Sequence, residues 1–150
     1  MEWGRYMKIL IIEDDLKKIQ EINLIMNRLN VNNYEIAHNV KNALESIYMN
    51  NFDLIITSLK IPAYRDDALV RNDMGYRMLC ELAYNQVSIP TIVFSKDNLY
   101  EEQIEYLKNL GCPFIDKTIN IDELETSLDK YLNGQSKKRV INNERKKDRN

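Results

Sequence analysis

The sequence predicts an α/β protein in which five parallel strands form a doubly wound sheet. Apolar runs of strand length alternate along the 150 residues with segments whose apolar residues recur at helical spacing. The apolar runs are continuous rather than alternating with polar residues, which is typical of strands buried on both faces of a parallel sheet. The chain is therefore expected to form one (βα)₅ domain whose functional site lies beyond the carboxyl ends of the strands.

The ten elements follow in order from these patterns. Strands are expected at Lys8–Ile12, Tyr34–His38, Asp53–Thr57, Pro90–Ser95 and Phe114–Asp116. Helices are expected at Leu16–Leu29, Val40–Ile47, Met74–Tyr84, Asn98–Leu110 and Asn120–Leu132.

Side chains that stabilise helix ends support these boundaries. Asn39 is expected to cap the second helix. The pairs Asn98 with Glu101 and Asn120 with Glu123 have the spacing of a capping box at the start of the last two helices. Glycines are expected to end these two helices, at Gly111 and Gly134.

Charge divides the chain into three parts. Residues 1–6 are expected to be a short extension before an alternative start at Met7, and residues 7–133 form the domain. Residues 134–150 carry seven basic and two acidic side chains, so the net charge of −2 divides into +5 there and −7 in residues 1–133. The tail is expected to be disordered. An acidic body has no reason to bind nucleic acid, and we expect no such partner.

Several classes of protein are excluded. The sequence has no secretion signal and no apolar stretch of about 20 residues, so we expect no membrane association. Cys80 and Cys112 then indicate reduced thiols in a cytoplasmic protein. The first loop, Glu-Asp-Asp-Leu-Lys, would repel the phosphate of a flavin or nucleotide, and neither a zinc spacing nor a G-x-S-x-G motif occurs. We expect neither an enzyme nor a cofactor-binding protein.

Polar side chains follow four of the predicted strands, at the edge where a site is expected. The first strand runs into Glu13-Asp14-Asp15, the third into Ser58, the fourth ends in Ser95, and the fifth is followed by Lys117. Taken singly, each has a plain structural role. The acids could favour a helix dipole, Ser58 and Ser95 could cap their own backbone, and Lys117 could be solvated.

Taken together, in this order and on these strands, the motifs resemble the receiver domain of bacterial response regulators. The resemblance covers about residues 7–133 and implies a flavodoxin-like sheet of strand order 2-1-3-4-5. Glu13 and Asp14 then match the acidic pair that holds Mg²⁺, and Ser95 and Phe114 match the switch positions, although Phe114 alone reads as a core residue. Lys117 matches the family's lysine, with Thr118 in the usual place of proline.

The resemblance also identifies a departure, because Ser58 stands where the family has its phosphate-accepting aspartate. A carboxylate, with a reference pKa of about 3.9, is anionic at neutral pH, whereas a hydroxyl needs a base before it becomes a nucleophile. The only histidine, His38, is expected away from the site. Losing one acid also removes a metal ligand, so Mg²⁺ binding through Glu13, Asp14 and the Lys60 carbonyl should be weak.

Two functional hypotheses follow. In the first, the chain is a pseudo-receiver that signals without phosphorylation, its pocket held by a network of Ser58, Glu13 or Asp14, and Lys117. In the second, it is a working phosphorelay component modified at Ser58 or in the loop 63–74. This loop is longer than the usual connection of about 2–6 residues and contains Asp66, Asp67 and Asp73.

A protein partner is expected in either case. The resemblance implies a histidine kinase or an output protein, and a homodimer through the fourth helix, fifth strand and fifth helix. That face would include Tyr100, Tyr106 and Tyr131, a residue type enriched at interfaces. The alternative is that these tyrosines are half-buried for packing.

Overall fold

A computed structural model describes residues 7–65, 74–95, 101–112 and 115–148 of the chain, with side chains up to residue 135. Five parallel strands form one sheet of order β2-β1-β3-β4-β5, which confirms the predicted fold. The strands are β1 (Ile9–Ile12), β2 (Tyr34–Ala37), β3 (Leu54–Thr57), β4 (Thr91–Phe94) and β5 (Ile115–Thr118). The helices are α1 (Leu16–Arg28), α2 (Val40–Met49), α3 (Met74–Tyr84), α4 (Glu101–Asn109) and α5 (Ile121–Asp148).

The apolar core has two layers, one on each face of the sheet. Alternate strand residues point to opposite faces, so a continuous apolar run supplies both layers at once. Helices α2, α3 and α4 cover one layer, which includes Leu10, Ile12, Ile55 and Val93. Helices α1 and α5 cover the other, which includes Ile9, Ile11, Ile56 and Ile92.

The predicted helix ends are largely present. The side chain of Asn39 accepts a hydrogen bond from the Asn42 backbone N–H at 2.8 Å. Asn120 accepts one from the Glu123 N–H at 2.9 Å, and the Glu123 carboxylate reaches back to the Ile119 N–H. Gly111, with φ of 104°, follows α4 as expected. The predicted cap Asn98 lies outside the described residues.

Helix α5 does not end at Gly134, as predicted, but continues to Asp148. The disorder expected for residues 134–150 stays a prediction. A glycine inside a helix costs only about 1 kcal/mol relative to alanine. The residues that follow Gly134 are mostly strong helix formers, including glutamine, lysine and arginine. The backbone therefore stays helical beyond Gly134.

Strand β5 is displaced from its predicted position by two residues at its carboxyl end. It was expected to end at Asp116, but Lys117 and Thr118 pair with Val93 and Phe94 of β4. Lys117 thus lies within the strand rather than after it. The prediction failed because β5 is an edge strand, and its polar residues hid the strand from a search for apolar runs. Within the described part of the chain, no helix could span a membrane.

Helix α3 packs directly against the backbone of Ser58 and Leu59. The Gly75 N–H donates to the Leu59 carbonyl at 2.8 Å. A Cβ on Gly75 would lie 2.7 Å from the Leu59 Cα and closer still to the Ser58 carbonyl oxygen. Only a residue without a side chain lets the helix approach the loop this closely.

Substitution of the two helical glycines should therefore have opposite effects. Gly75→Ala should lower the free energy of unfolding by about 1–3 kcal/mol, because the added methyl group collides with rigid backbone. At Gly134 a Cβ meets no atom within 4 Å, so Gly134→Ala should raise it by up to about 1 kcal/mol. Urea denaturation of both variants measures the difference. A destabilised Gly134→Ala variant would contradict the continuous helix.

Candidate functional site

The strand order brings Glu13 and Ser58 together. Strands β1 and β3 are neighbours, with Ile12 paired to Thr57, so the residues that follow both strands lie side by side. The Ser58 N–H donates to the Ile12 carbonyl at 3.1 Å, and the Glu13 N–H donates to the Ala37 carbonyl at 3.0 Å. These backbone hydrogen bonds fix the positions of Glu13 and Ser58 relative to the sheet.

The Ser58 hydroxyl is enclosed between two acceptors. Its side chain is hydrogen-bonded to the Glu13 Oε2, and its Oγ lies 3.0 Å from the Phe94 carbonyl oxygen. Ser58 and Glu13 are each only 2% exposed. A hydroxyl has one hydrogen and can donate to only one of these acceptors at a time.

Protonation of Glu13 resolves this shortage of donors. Burial raises the pKa of the Glu13 carboxyl, an effect opposed by the Ser58 hydrogen bond and by the charge of Lys18. A neutral Glu13 can donate to the Ser58 oxygen, while Ser58 donates to the Phe94 carbonyl. The other oxygen of Glu13, Oε1, accepts from the Asp15 N–H at 3.2 Å. In this form the buried groups satisfy one another without an ion.

The other predicted site residues differ in how deeply they are buried. Ser95 is 3% exposed at the end of β4, and its N–H donates to the Thr118 carbonyl at 3.0 Å. The side chain of Asp14 is exposed, unlike that of Glu13. Lys117, half-buried in β5, borders an open groove of about 510 Å³ against α5. Phe114 lies outside the described residues.

Lys18 is a site residue that the sequence did not reveal. Its charge acts on Glu13, and its Nζ lies 5.6 Å from the centroid of the Phe94 ring. The network was expected to use Lys117, at a strand end, because strand ends mark the site in this fold. Lys18 belongs to the first turn of α1, the helix that begins directly after the acidic loop. Its only signal in the sequence is this place near the amino end of that helix. The part of Lys117 in the network stays a prediction.

These residues do not fit a tight Mg²⁺ site. Mg²⁺ requires near-octahedral oxygen ligands and is held in proteins by one or two anionic carboxylates together with water molecules. Here Glu13 is turned inward to Ser58, which leaves Asp14 as the exposed acid of the predicted pair. Across the described ranges, no group of three His, Cys, Asp or Glu side chains is arranged to hold a metal ion.

Comparison with known proteins agrees with this geometry. The family model of the response regulator receiver domain matches residues 9–129. The receiver domain of a Francisella response regulator is 26% identical, with a TM-score of 0.59 over 86% of this chain and 98% of that one. A CheY-like receiver domain protein of Methanospirillum hungatei is 20% identical, with a TM-score of 0.64 over 88% of this chain and 98% of that one. The curated proteins include no significant match.

The raised pKa of Glu13 predicts a pH-dependent effect on stability. The stabilisation from its protonated form is complete below the ordinary pKa of 4.5 and is lost as the pH rises through the higher value of the folded state. Glu13→Gln keeps a neutral donor in place at every pH. This variant should therefore unfold at a higher temperature than the native protein at neutral pH, by a margin that shrinks towards pH 4.5.

Thermal unfolding followed by circular dichroism across this pH range measures the margin. Glu45→Gln, at an exposed position on α2, is the control and should change little at any pH. A Glu13→Gln variant that is less stable at neutral pH would show that Glu13 is held as an anion.

Proposed function

The chain belongs to the response regulator receiver domain family, the receiving modules of two-component signalling, and from this premise we propose that it is a pseudo-receiver. In this proposal the domain is not phosphorylated by the usual aspartyl route. It acts by binding another protein, and it is not an enzyme. The observation that carries the proposal is the buried Ser58 hydroxyl, bound to Glu13 at the position of the family's phosphate acceptor.

The chemistry at Ser58 opposes phosphoryl transfer. An alcohol must lose its proton to a base as it attacks phosphorus. Glu13 has a raised pKa because it is buried, but it is enclosed with Ser58, and the attacking oxygen is already hydrogen-bonded. His38 is exposed after β2, two strands from Ser58 in the sheet order. With Glu13 directed inward, we propose that Mg²⁺ binds only weakly, through Asp14 and the Lys60 carbonyl.

The alternative of a phosphorelay component modified at Ser58 or in the loop has less support. Ser58 is 2% exposed, so a kinase could not reach it without a local rearrangement. The loop aspartates Asp66, Asp67 and Asp73 lie outside the described residues. Modification of one of them stays a prediction.

The partner is proposed to be a histidine kinase or an output protein. The predicted homodimer through α4, β5 and α5 stays a proposal. Tyr106 on α4 contacts the hydroxyl of Tyr84 on α3, and Tyr131 on α5 packs against the core layer under that helix. Tyr100 lies outside the described residues. Tyr131 is half-buried, which favours the packing alternative for this residue, whereas Tyr106 is 40% exposed.

Treatment with acetyl phosphate and Mg²⁺ tests the proposal directly. The native protein should keep its mass, because Ser58 offers neither an anion nor an accessible lone pair. Intact-mass spectrometry measures the outcome. A stoichiometric phosphoryl adduct that hydroxylamine removes would mean that an aspartate of this chain is phosphorylated, and the pseudo-receiver would be abandoned.

Restoring the carboxylate should restore the response to Mg²⁺. Ser58→Asp places two carboxyl groups together, so we expect this variant to melt below the native protein without metal and to be stabilised by Mg²⁺. In Ser58→Asn the asparagine side chain has nearly the shape of aspartate but no charge. This variant should therefore not be stabilised by Mg²⁺. Thermal unfolding with and without Mg²⁺ compares the three proteins. Equal responses would show that residue 58 does not control metal binding.

A further inference from the structure

Helices α2 and α3 carry the same order of exposed side chains. On α2 this order is Lys41, Glu45 and Tyr48, and on α3 it is Arg77, Glu81 and Tyr84. In both helices the spacing is i, i+4 and i+7, which places the three side chains along one face. All six residues are exposed, on the side opposite the residues that pack on the core. Each helix therefore presents a cation, an acid and a tyrosine in turn.

The two helices present this pattern side by side. They cover the same face of the sheet, share one core layer and run in the same direction, from the carboxyl edge of the strands to the amino edge. At the amino edge the Asn85 side chain donates to the Tyr48 hydroxyl at 2.8 Å. Tyr48 and Tyr84, which we call the aromatic margin, are 52% and 63% exposed, and Met49 beside Tyr48 is also exposed.

The charges of this face cancel, unlike those of the rest of the body. Residues 1–133 carry a net charge of −7, so two copies of the domain repel each other over most of their surfaces. Lys41, Glu45, Arg77 and Glu81 sum to zero. Among the described residues, Lys41, Glu45 and Glu81 take part in no ion pair within the molecule.

We propose that the α2–α3 face binds the same face of a second copy of this chain, in an antiparallel two-fold arrangement. A two-fold axis that crosses the helices between the cations and the acids places α2 on α2 and α3 on α3 with their directions reversed. Lys41 of each copy then lies opposite Glu45 of the other, and Arg77 lies opposite Glu81. A parallel arrangement would instead place cation against cation. The face is self-complementary in one orientation only.

The aromatic margin completes the contact. In the antiparallel register each tyrosine lies about one helical turn, roughly 5 Å, beyond a cation of the partner helix. This separation suits a cation–π contact. Helix α3 is about 16 Å long and neighbouring helices lie about 8–10 Å apart, so the face is smaller than a standard specific interface, which buries roughly 800 Å² on each partner. We therefore expect a weak, concentration-dependent dimer.

Sedimentation velocity from micromolar to millimolar concentration tests the dimer, with circular dichroism to confirm that each variant is folded. The native protein should pass from monomer to dimer. Glu81→Arg should weaken the association about tenfold or more, because it sets arginine against arginine twice in the dimer. The double variant Arg77→Glu with Glu81→Arg reverses both charges and should restore the association to within about threefold.

Two control variants distinguish this face from the rest of the surface and from the Ser58 pocket. Asp129→Lys changes the charge of an exposed residue on α5, away from the face, and should not weaken the dimer. Ser58→Ala should dimerise like the native protein, because it removes the hydroxyl from the pocket and leaves in place the backbone against which α3 packs. A native protein that stays monomeric to millimolar concentration would overturn the inference. So would a dimer that Glu81→Arg leaves intact or that the double variant fails to restore.

Discussion

In the function that we propose, the contact between the Ser58 hydroxyl and Glu13 determines what this domain can do. Strand order 2-1-3-4-5 makes β1 and β3 neighbours and thereby places both side chains at one buried point. An anionic acceptor at this point would need a cation or a metal to offset the cost of burying its charge. A hydroxyl beside a carboxyl of raised pKa needs neither once Glu13 is protonated, because Glu13 can then donate to Ser58 while Ser58 donates to the Phe94 carbonyl. The hydrogen-bonding groups of Glu13 and Ser58 are then satisfied within the protein.

The surrounding structure packs closely against this pocket. Gly75 presses α3 against the backbone of Ser58 and Leu59, where no side chain would fit. The Thr57 hydroxyl donates to the Ser58 carbonyl at 2.9 Å. Displacing Ser58 would therefore disturb both a strand end and a helix. A domain packed in this way is suited to present a constant surface to a partner, and we propose that the α2–α3 face, where the charges cancel, is that surface.

Much of the fold could be predicted because three signals indicated the same architecture. These were the apolar runs, the helix caps and the resemblance of the strand-end motifs to receiver domains. The juxtaposition of Glu13 and Ser58 could also be predicted, since the two residues follow adjacent strands. What could not be predicted depends on packing. The influence of Lys18 on Glu13 requires knowing where α1 lies relative to Glu13, and the extension of β5 to Thr118 comes from pairing with β4. The direction of Tyr106 towards α3 likewise follows from three-dimensional contacts.

The protonation state of Glu13 is the decisive quantity for the Ser58 pocket. Carbon-13 NMR of the side-chain carboxyl carbon, followed as the pH is raised, reports when this group loses its proton. We expect Glu13 to remain protonated above its ordinary pKa of 4.5 and Ser58→Ala to alter its titration, because the hydroxyl is the direct partner of the carboxyl. Titration of Glu13 at or below 4.5, unchanged by Ser58→Ala, would mean that the two groups are not joined as described.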